Sequence, residues 1–251
     1  MYIYRTTAGD CNGNQQHQGR KAHNVFERLF NKRSQMPVNS VFRFLFLIQF
    51  FNVIHLSATT YIFDPAGDAK HPGRLIGQTF ERTATLYFAR QIKEHIATLD
   101  KKAVVLFARL PGEHKDSLEK AHFVLQYNPD LFIHIALYQT KHIKPQIHFY
   151  CHAQNNTDAY AHTLLRPLAH THAPYAERSQ AYAHNIYTAM QIGTERICDL
   201  HAPMSIHSFV LKQIAAPALV IEIGIQDPDN LHNCIAPLAQ SIVQACTGKA
   251  L

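Results

Sequence analysis

The segment Asp64-Pro65-Ala66-Gly67-Asp68-Ala69-Lys70-His71 follows the apolar run Tyr61-Ile62-Phe63. An acid, a proline, small residues and a histidine just past a buried strand are suited to ligand or metal binding at a sheet's carboxyl edge. Asp68 has two readings. It caps the loop by accepting backbone N–H groups, or it joins Glu81 as an oxygen donor for a hard cation such as calcium or magnesium. Much later, Glu222 interrupts Leu219-Val220-Ile221-Glu222-Ile223-Gly224. A carboxylate in so apolar a strand is costly unless paired or hydrogen-bonded. That marks Glu222 as a site candidate, with Arg109 or a nearby histidine as the expected structural partner.

These residues need elements to hold them. Residues 60–63 read as a short buried strand. Leu86, Ala89, Ile92, Ile96 and Leu99 recur at helical spacing, which predicts a helix from near Thr83 with Lys101-Lys102 just beyond its end. Continuous apolar runs predict strands over 103–109, 130–138, 146–152 and 216–224. Helices are expected over 116–128, capped by Asp116 or Ser117, over 178–193, ended by Gly193, and over 233–248, with Pro237 tolerated in the first turn. Residues 153–175 read as a loop. The strand–helix alternation predicts an α/β fold in a single domain: a mostly parallel twisted sheet with helices on both faces. In such sheets functional residues gather at the carboxyl ends of the strands. The 64–73 loop, the end of 130–138 and Glu222 all qualify.

The 251-residue chain is 47% hydrophobic and 17% charged, ordinary for a protein with a real core. Its formal charge of +6 is concentrated at one end. Residues 1–58 carry seven Lys/Arg and two Asp/Glu. The remainder is close to neutral, which disfavours a nucleic-acid partner. Residues 1–35 are polar and basic, without periodicity, and read as disordered or as upstream translation before a true start at Met36. Residues 36–58 show the layout of a secretory signal peptide: Arg43, the apolar run Phe44 to Leu56, then Leu56-Ser57-Ala58. An uncleaved N-terminal anchor is the alternative, and the only membrane contact expected. An exported protein could pair Cys151, Cys198, Cys234 and Cys246, but their spacing matches no CxxC motif and also suits buried thiols.

The order of motifs resembles that of the zinc-dependent N-acetylmuramoyl-L-alanine amidases, which cut peptidoglycan. That family opens with D-P-G-H-G-G, then a glutamate heading the first helix. A strand ending T-R, S-L-x-x-R, F-I-S-I-H-A-N and V-E-x-G-F-x-x-N-P follow. This chain shows Asp64-Pro65-Ala66-Gly67-Asp68, Glu81, Ala108-Arg109, Ser117-Leu118-Glu119-Lys120, "DLFIHIALY" and "PALVIEIGIQDPDN". The resemblance runs from about 60 to 246. It implies a cell-envelope protein, periplasmic or extracellular, whose partner is peptidoglycan or an envelope protein. It also implies zinc as the family cofactor, held by Glu81 and by two histidines that here fall on Gly67 and Ala136, with Glu222 as the catalytic base. Asp64, Asp68 and Arg109 would support that site.

Two of three family ligands are therefore absent. A catalytic zinc needs about three protein ligands and an open position for water, so zinc is expected to be absent or weakly bound. Three readings follow. In the first, the domain is a catalytically impaired amidase relative that still binds the wall or an envelope protein. In the second, it is an active amidase whose zinc sits between His71, Glu81 and His134. His134 lies two residues before Ala136 on the same face of its strand, displaced by ~6–7 Å. The structural alternative is a core His134 hydrogen-bonded to a neighbour and a solvated His71 in its loop. In the third, it is an unrelated soluble α/β binding domain. There are 15 histidines in residues 59–251. His142, His148, His152, His162, His170 and His172 show no HExxH spacing. No GxGxxG, P-loop or GxSxG pattern occurs.

Overall fold

The computed structural model describes residues 58–153, 170–194 and 196–248. The expected disordered segment, the leader up to Ser57, most of the 153–175 loop and His162 lie outside the described residues. Strand β1 (Thr60–Pro65) leads through the short antiparallel pair β2 (Leu75–Ile76) and β3 (Thr79–Phe80) into helix α1 (Glu81–Leu99). Strand β4 (Val104–Phe107), helix α2 (Ser117–Tyr127), strand β5 (Leu131–Gln139) and strand β6 (Gln146–His152) follow. Then come helix α3 (Ala176–Thr194), short strands β7 (Asp199–Leu200) and β8 (Met204–Ile206), strand β9 (Ala218–Ile225) and helix α4 (His232–Thr247).

The main sheet runs β4-β1-β5-β9-β6-β7, with β8 also paired to β6. Its pairings are parallel except β6 with β9. Side-chain alternation sorts the sheet into two faces. Odd-numbered positions such as Phe63, Ile133, Ile135 and Ile221 pack with Phe88 and Ile92 of α1, Ala183 and Ile186 of α3, and Leu238 and Ile242 of α4. Even-numbered Ile62, Phe132 and Val220 pack with Val124 of α2 and with Leu211 and Ile214. The expected mostly parallel α/β fold is the one observed, with three helices on one face and one on the other among the described residues.

Local chemistry explains the boundaries. Asp116 caps α2 in a reciprocal capping box with Glu119. Helix α1 starts at Glu81, earlier than Thr83, because β3 delivers the chain to it and the Glu81 N–H bonds the Arg74 carbonyl at 2.7 Å. Gly193 does not end α3, which continues to Thr194. Pro237 sits deeper in α4 than its first turn. Proline both removes the N–H bond to the carbonyl four residues before it and crowds that carbonyl. Here the carbonyl belongs to Asn233 at the helix entrance, where the chain has most room to adjust. The four cysteines of the described residues are free thiols, three of them buried, so the expected option of two bridges is not taken up.

Candidate functional site

The 66–73 loop is held from several sides at the carboxyl edge of β1 and β5. The Ala66 N–H bonds the Ile135 carbonyl at 2.8 Å, and the Arg82 N–H bonds the Pro72 carbonyl at 3.0 Å. Arg109 lies beneath it. Its guanidinium donates to the carbonyls of Pro65 (3.0 Å), Ala66 (3.2 Å) and Arg82 (3.0 Å). Arg109 is therefore a buttress of the loop, and the expectation that it pairs with Glu222 is corrected. It ties the end of β1 to the first turn of α1 through these carbonyls, one of which, that of Ala66, also accepts from the Thr85 hydroxyl at 2.8 Å.

Asp68 caps the loop, as one of its two readings held. One carboxylate oxygen accepts the Lys70 and His71 N–H groups at 2.8 and 2.7 Å. The other lies 2.8 Å from His114 Nδ1. Burial alone would raise the Asp68 pKa, but these N–H bonds and the His114 ring hold it well below the usual carboxylate range.

Asp64 is fully buried on the α2 side of the sheet. Lys120 Nζ approaches it to 2.8 Å and His134 Nδ1 to 2.8 Å. Desolvation pushes its pKa up, yet Lys120 and His134 outweigh that and bring it down to about 2. His134 is thus committed to Asp64 through the β1–β5 register, which sets the two residues side by side. Lys120 stands one residue before the position of the arginine in S-L-x-x-R, which here is Ala121, and its pairing with Asp64 had no sequence signal of its own.

Glu81 is 5% exposed, and both its oxygens are engaged by backbone. One accepts the Leu137 N–H at 3.0 Å and the other the Arg74 N–H at 3.1 Å. The fit is close. A Cβ on Gly73, whose φ is +78°, would come within 2.6 Å of a Glu81 oxygen. Glu222 stands beside Ala136 in the β5–β9 register and beside His148 in the β9–β6 register. Its partner is Arg74, whose guanidinium donates to it at 2.7 Å. Burial tends to lower the Arg74 pKa, but Glu222 and then Glu81 raise it. Arg74 also lies over the Tyr138 ring at 5.8 Å. Burial and the Glu222 charge raise the pKa values of Tyr138 and Tyr150. Arg74 gave no sequence signal, because nothing in Gly73-Arg74-Leu75-Ile76-Gly77 is periodic.

The structure thus brings Glu81 and Glu222 to one residue, Arg74, at the strand ends that Ala136 also lines. It does not bring His71, Glu81 and His134 together. His71 is exposed and lies with Asp68 and His114, with its Nδ1 3.4 Å from Asp68. Glu81 faces backbone donors and His134 faces Asp64. The other histidines disperse. His142 is exposed, His148 stacks on His201 at 4.0 Å, and His152, His170 and His172 line a separate cavity of about 270 Å³.

No family model and no curated relative matches this chain. Solved structures do. The CwlD amidase from Clostridioides difficile, determined in complex with the GerS lipoprotein, aligns with a TM-score of 0.52 at 13% identity, covering 76% of this chain and 100% of that one. The N-acetylmuramyl-L-alanine amidase Ami1 from Mycobacterium smegmatis aligns with a TM-score of 0.52 at 11% identity, covering 77% of this chain and 99% of that one. At these identities the likeness is one of fold, and the fold is that of these amidases.

Proposed function

We propose that this chain is a cell-envelope domain of amidase fold that binds peptidoglycan or an envelope protein and does not cleave the amide bond. Arg74 supports this reading most strongly. It ties Glu222 through its guanidinium and Glu81 through its backbone N–H. A cation therefore already pairs with the glutamate that the resemblance makes the catalytic base. The donor set does not fit a metal there. Gly67 and Ala136 offer no side-chain donor, and both Glu81 oxygens are taken by N–H groups. Zinc wants about three protein ligands and an open water position. Without a metal-activated water, Glu222 has no competent nucleophile to serve.

The retained parts suit binding. Arg74 and Glu222 offer a cation and an anion side by side, and Tyr138, Tyr150 and His148 add flat polar-edged surface at the same strand ends. A wall peptide carries both amide and carboxylate groups that such a surface can meet. The fold neighbour solved with a lipoprotein makes an envelope-protein partner the other candidate within this reading. Export follows from the leader-like layout of residues 36–58. The second reading, an active site at His71, Glu81 and His134, gains no support from the separation of those side chains.

The test is co-sedimentation of the tag-free chain with purified peptidoglycan sacculi, together with assay of released stem peptide with and without added zinc. Retention on sacculi without peptide release is expected. Peptide release that disappears in Glu222→Gln would overturn the proposal.

A further inference from the structure

From the cluster formed by Asp68, His71 and His114 we infer a divalent-cation site of the zinc class, distinct from the positions Gly67, Glu81 and Ala136 and independent of the function proposed above. One donor atom from each of the three residues lies within 4.8 Å of the other two. Tetrahedral zinc with bonds of ~2.0–2.2 Å sets its donors ~3.3 Å apart. Asp68 Oδ1 is 3.4 Å from His71 Nδ1, and Asp68 Oδ2 is 2.8 Å from His114 Nδ1. The two contacts use different carboxylate oxygens, so seating an ion requires the 2.8 Å contact to open and the two rings to turn toward a common point.

The carboxylate is the fixed member of the set. It is anchored by the Lys70 and His71 N–H groups, so a cation would meet a charge already positioned. The two rings are tilted by 57° with centroids 5.5 Å apart, which leaves their edges free to converge. His71 is 76% exposed, so the fourth position faces water. Two imidazoles and one carboxylate favour a borderline ion such as zinc. Calcium would require six to eight oxygens.

The site would join two segments that β1 and β4 bring side by side. His71 belongs to the loop after β1, and His114 to the turn after β4. These are already linked by the Ala69 N–H bond to the Glu113 carbonyl at 3.2 Å. A bound ion would fasten the loop that carries Arg74 and Gly73 against Glu81.

Zinc titration of the tag-free full chain by calorimetry tests this, with Co²⁺ absorption as a second readout of geometry. One equivalent is expected to bind, and His71→Ala and His114→Ala are each expected to weaken it by at least ~10-fold. The exposed His95→Ala should leave binding unchanged. Both variants alter partly or wholly exposed side chains, and thermal melts without metal verify their folding. Absence of binding, or binding indifferent to both variants, would overturn the site. An ion lost in Glu222→Gln but kept in His71→Ala would also overturn it, by placing metal in the cleft and removing the basis of the non-catalytic reading as well.

Discussion

Arg74 and Glu222 lie 148 positions apart in the chain and meet at 2.7 Å. The same Arg74 gives its backbone N–H to Glu81, so one residue of a short loop joins the head of α1 to the middle of β9. Helix α1 packs on the sheet face opposite Glu222. The two carboxylates are linked through Arg74 of this loop.

Arg74→Ala is expected to lower stability by less than about 1 kcal/mol, because the pair is partly exposed and screened. Its side chains are 53% and 22% accessible. The deficit should shrink further in molar salt. Retention on sacculi should fall more than stability does. Denaturant melts at two salt concentrations, beside the co-sedimentation assay, separate the two effects. A variant as stable as wild type that binds sacculi equally well would remove Arg74 from the binding surface.

Restoring the two absent histidines should not restore a metal seat at Glu81. Gly67 holds φ at +72°, and a Cβ there would stand 2.8 Å from the Arg82 Cβ and 2.9 Å from the Pro72 carbonyl. A left-handed L-residue costs roughly 1–2 kcal/mol before any clash. Gly67→His with Ala136→His is expected to lose at least that much by urea melts. Made together with His71→Ala and His114→Ala, it should bind no zinc by calorimetry. Stoichiometric zinc in that fourfold variant would show that the cleft is merely short of ligands, not rebuilt around Arg74.

Most of the architecture was legible because the strands are continuous apolar runs and α1 has clean periodicity. The N-cap of α2 was legible as Asp116 or Ser117, and the structure gives it to Asp116, with Glu119 three residues on completing a capping box. The short strands β2, β3, β7 and β8 carried too few residues for any period. The site was half legible. Glu222 stood out as an acid in an apolar strand and Glu81 through the resemblance, at the head of the first helix, but their shared partner Arg74 depends on a tertiary approach that no local pattern encodes. Arg109 was singled out by its place after a strand, yet it serves three carbonyls instead of a carboxylate. His134 was noticed as a displaced ligand or as a core histidine bonded to a neighbour, and the β1–β5 register supplies that neighbour, Asp64. Histidine type alone could not separate these roles.

Asp64 should govern stability at the acid end. Its folded pKa of about 2 lies below its ordinary 3.8, so the unfolded chain takes up the proton first. Its contribution is present above about pH 4 and fades as pH falls toward 2. Lys120→Met removes one cation from a buried carboxylate. The loss should approach the roughly 3–5 kcal/mol of a broken buried pair, moderated by His134. Urea melts from pH 7 to pH 2 should show a shallower slope below pH 4 in Asp64→Asn than in wild type, the remainder coming from other depressed carboxylates such as Asp68. An unchanged slope there would contradict an ionised, buried Asp64.

His172 should dominate a different window. It is fully buried, with Nδ1 3.1 Å from the Ile214 carbonyl and Nε2 3.2 Å from the Ser179 hydroxyl. Burial pushes its pKa down from 6.5 to about 4. Between those values the unfolded chain carries a proton that the folded chain refuses, so stability falls as pH drops from about 6.5 toward 4. At about 1.4 kcal/mol per pKa unit the ceiling is roughly 3 kcal/mol. His172→Gln cannot titrate, so its stability should change less across that window even though it starts lower. Proton uptake on unfolding at pH 5, measured by calorimetry in buffers of different ionisation heat, should drop by close to one proton in the variant. Equal uptake by both proteins would mean that His172 titrates normally in the fold, against the burial that surrounds it.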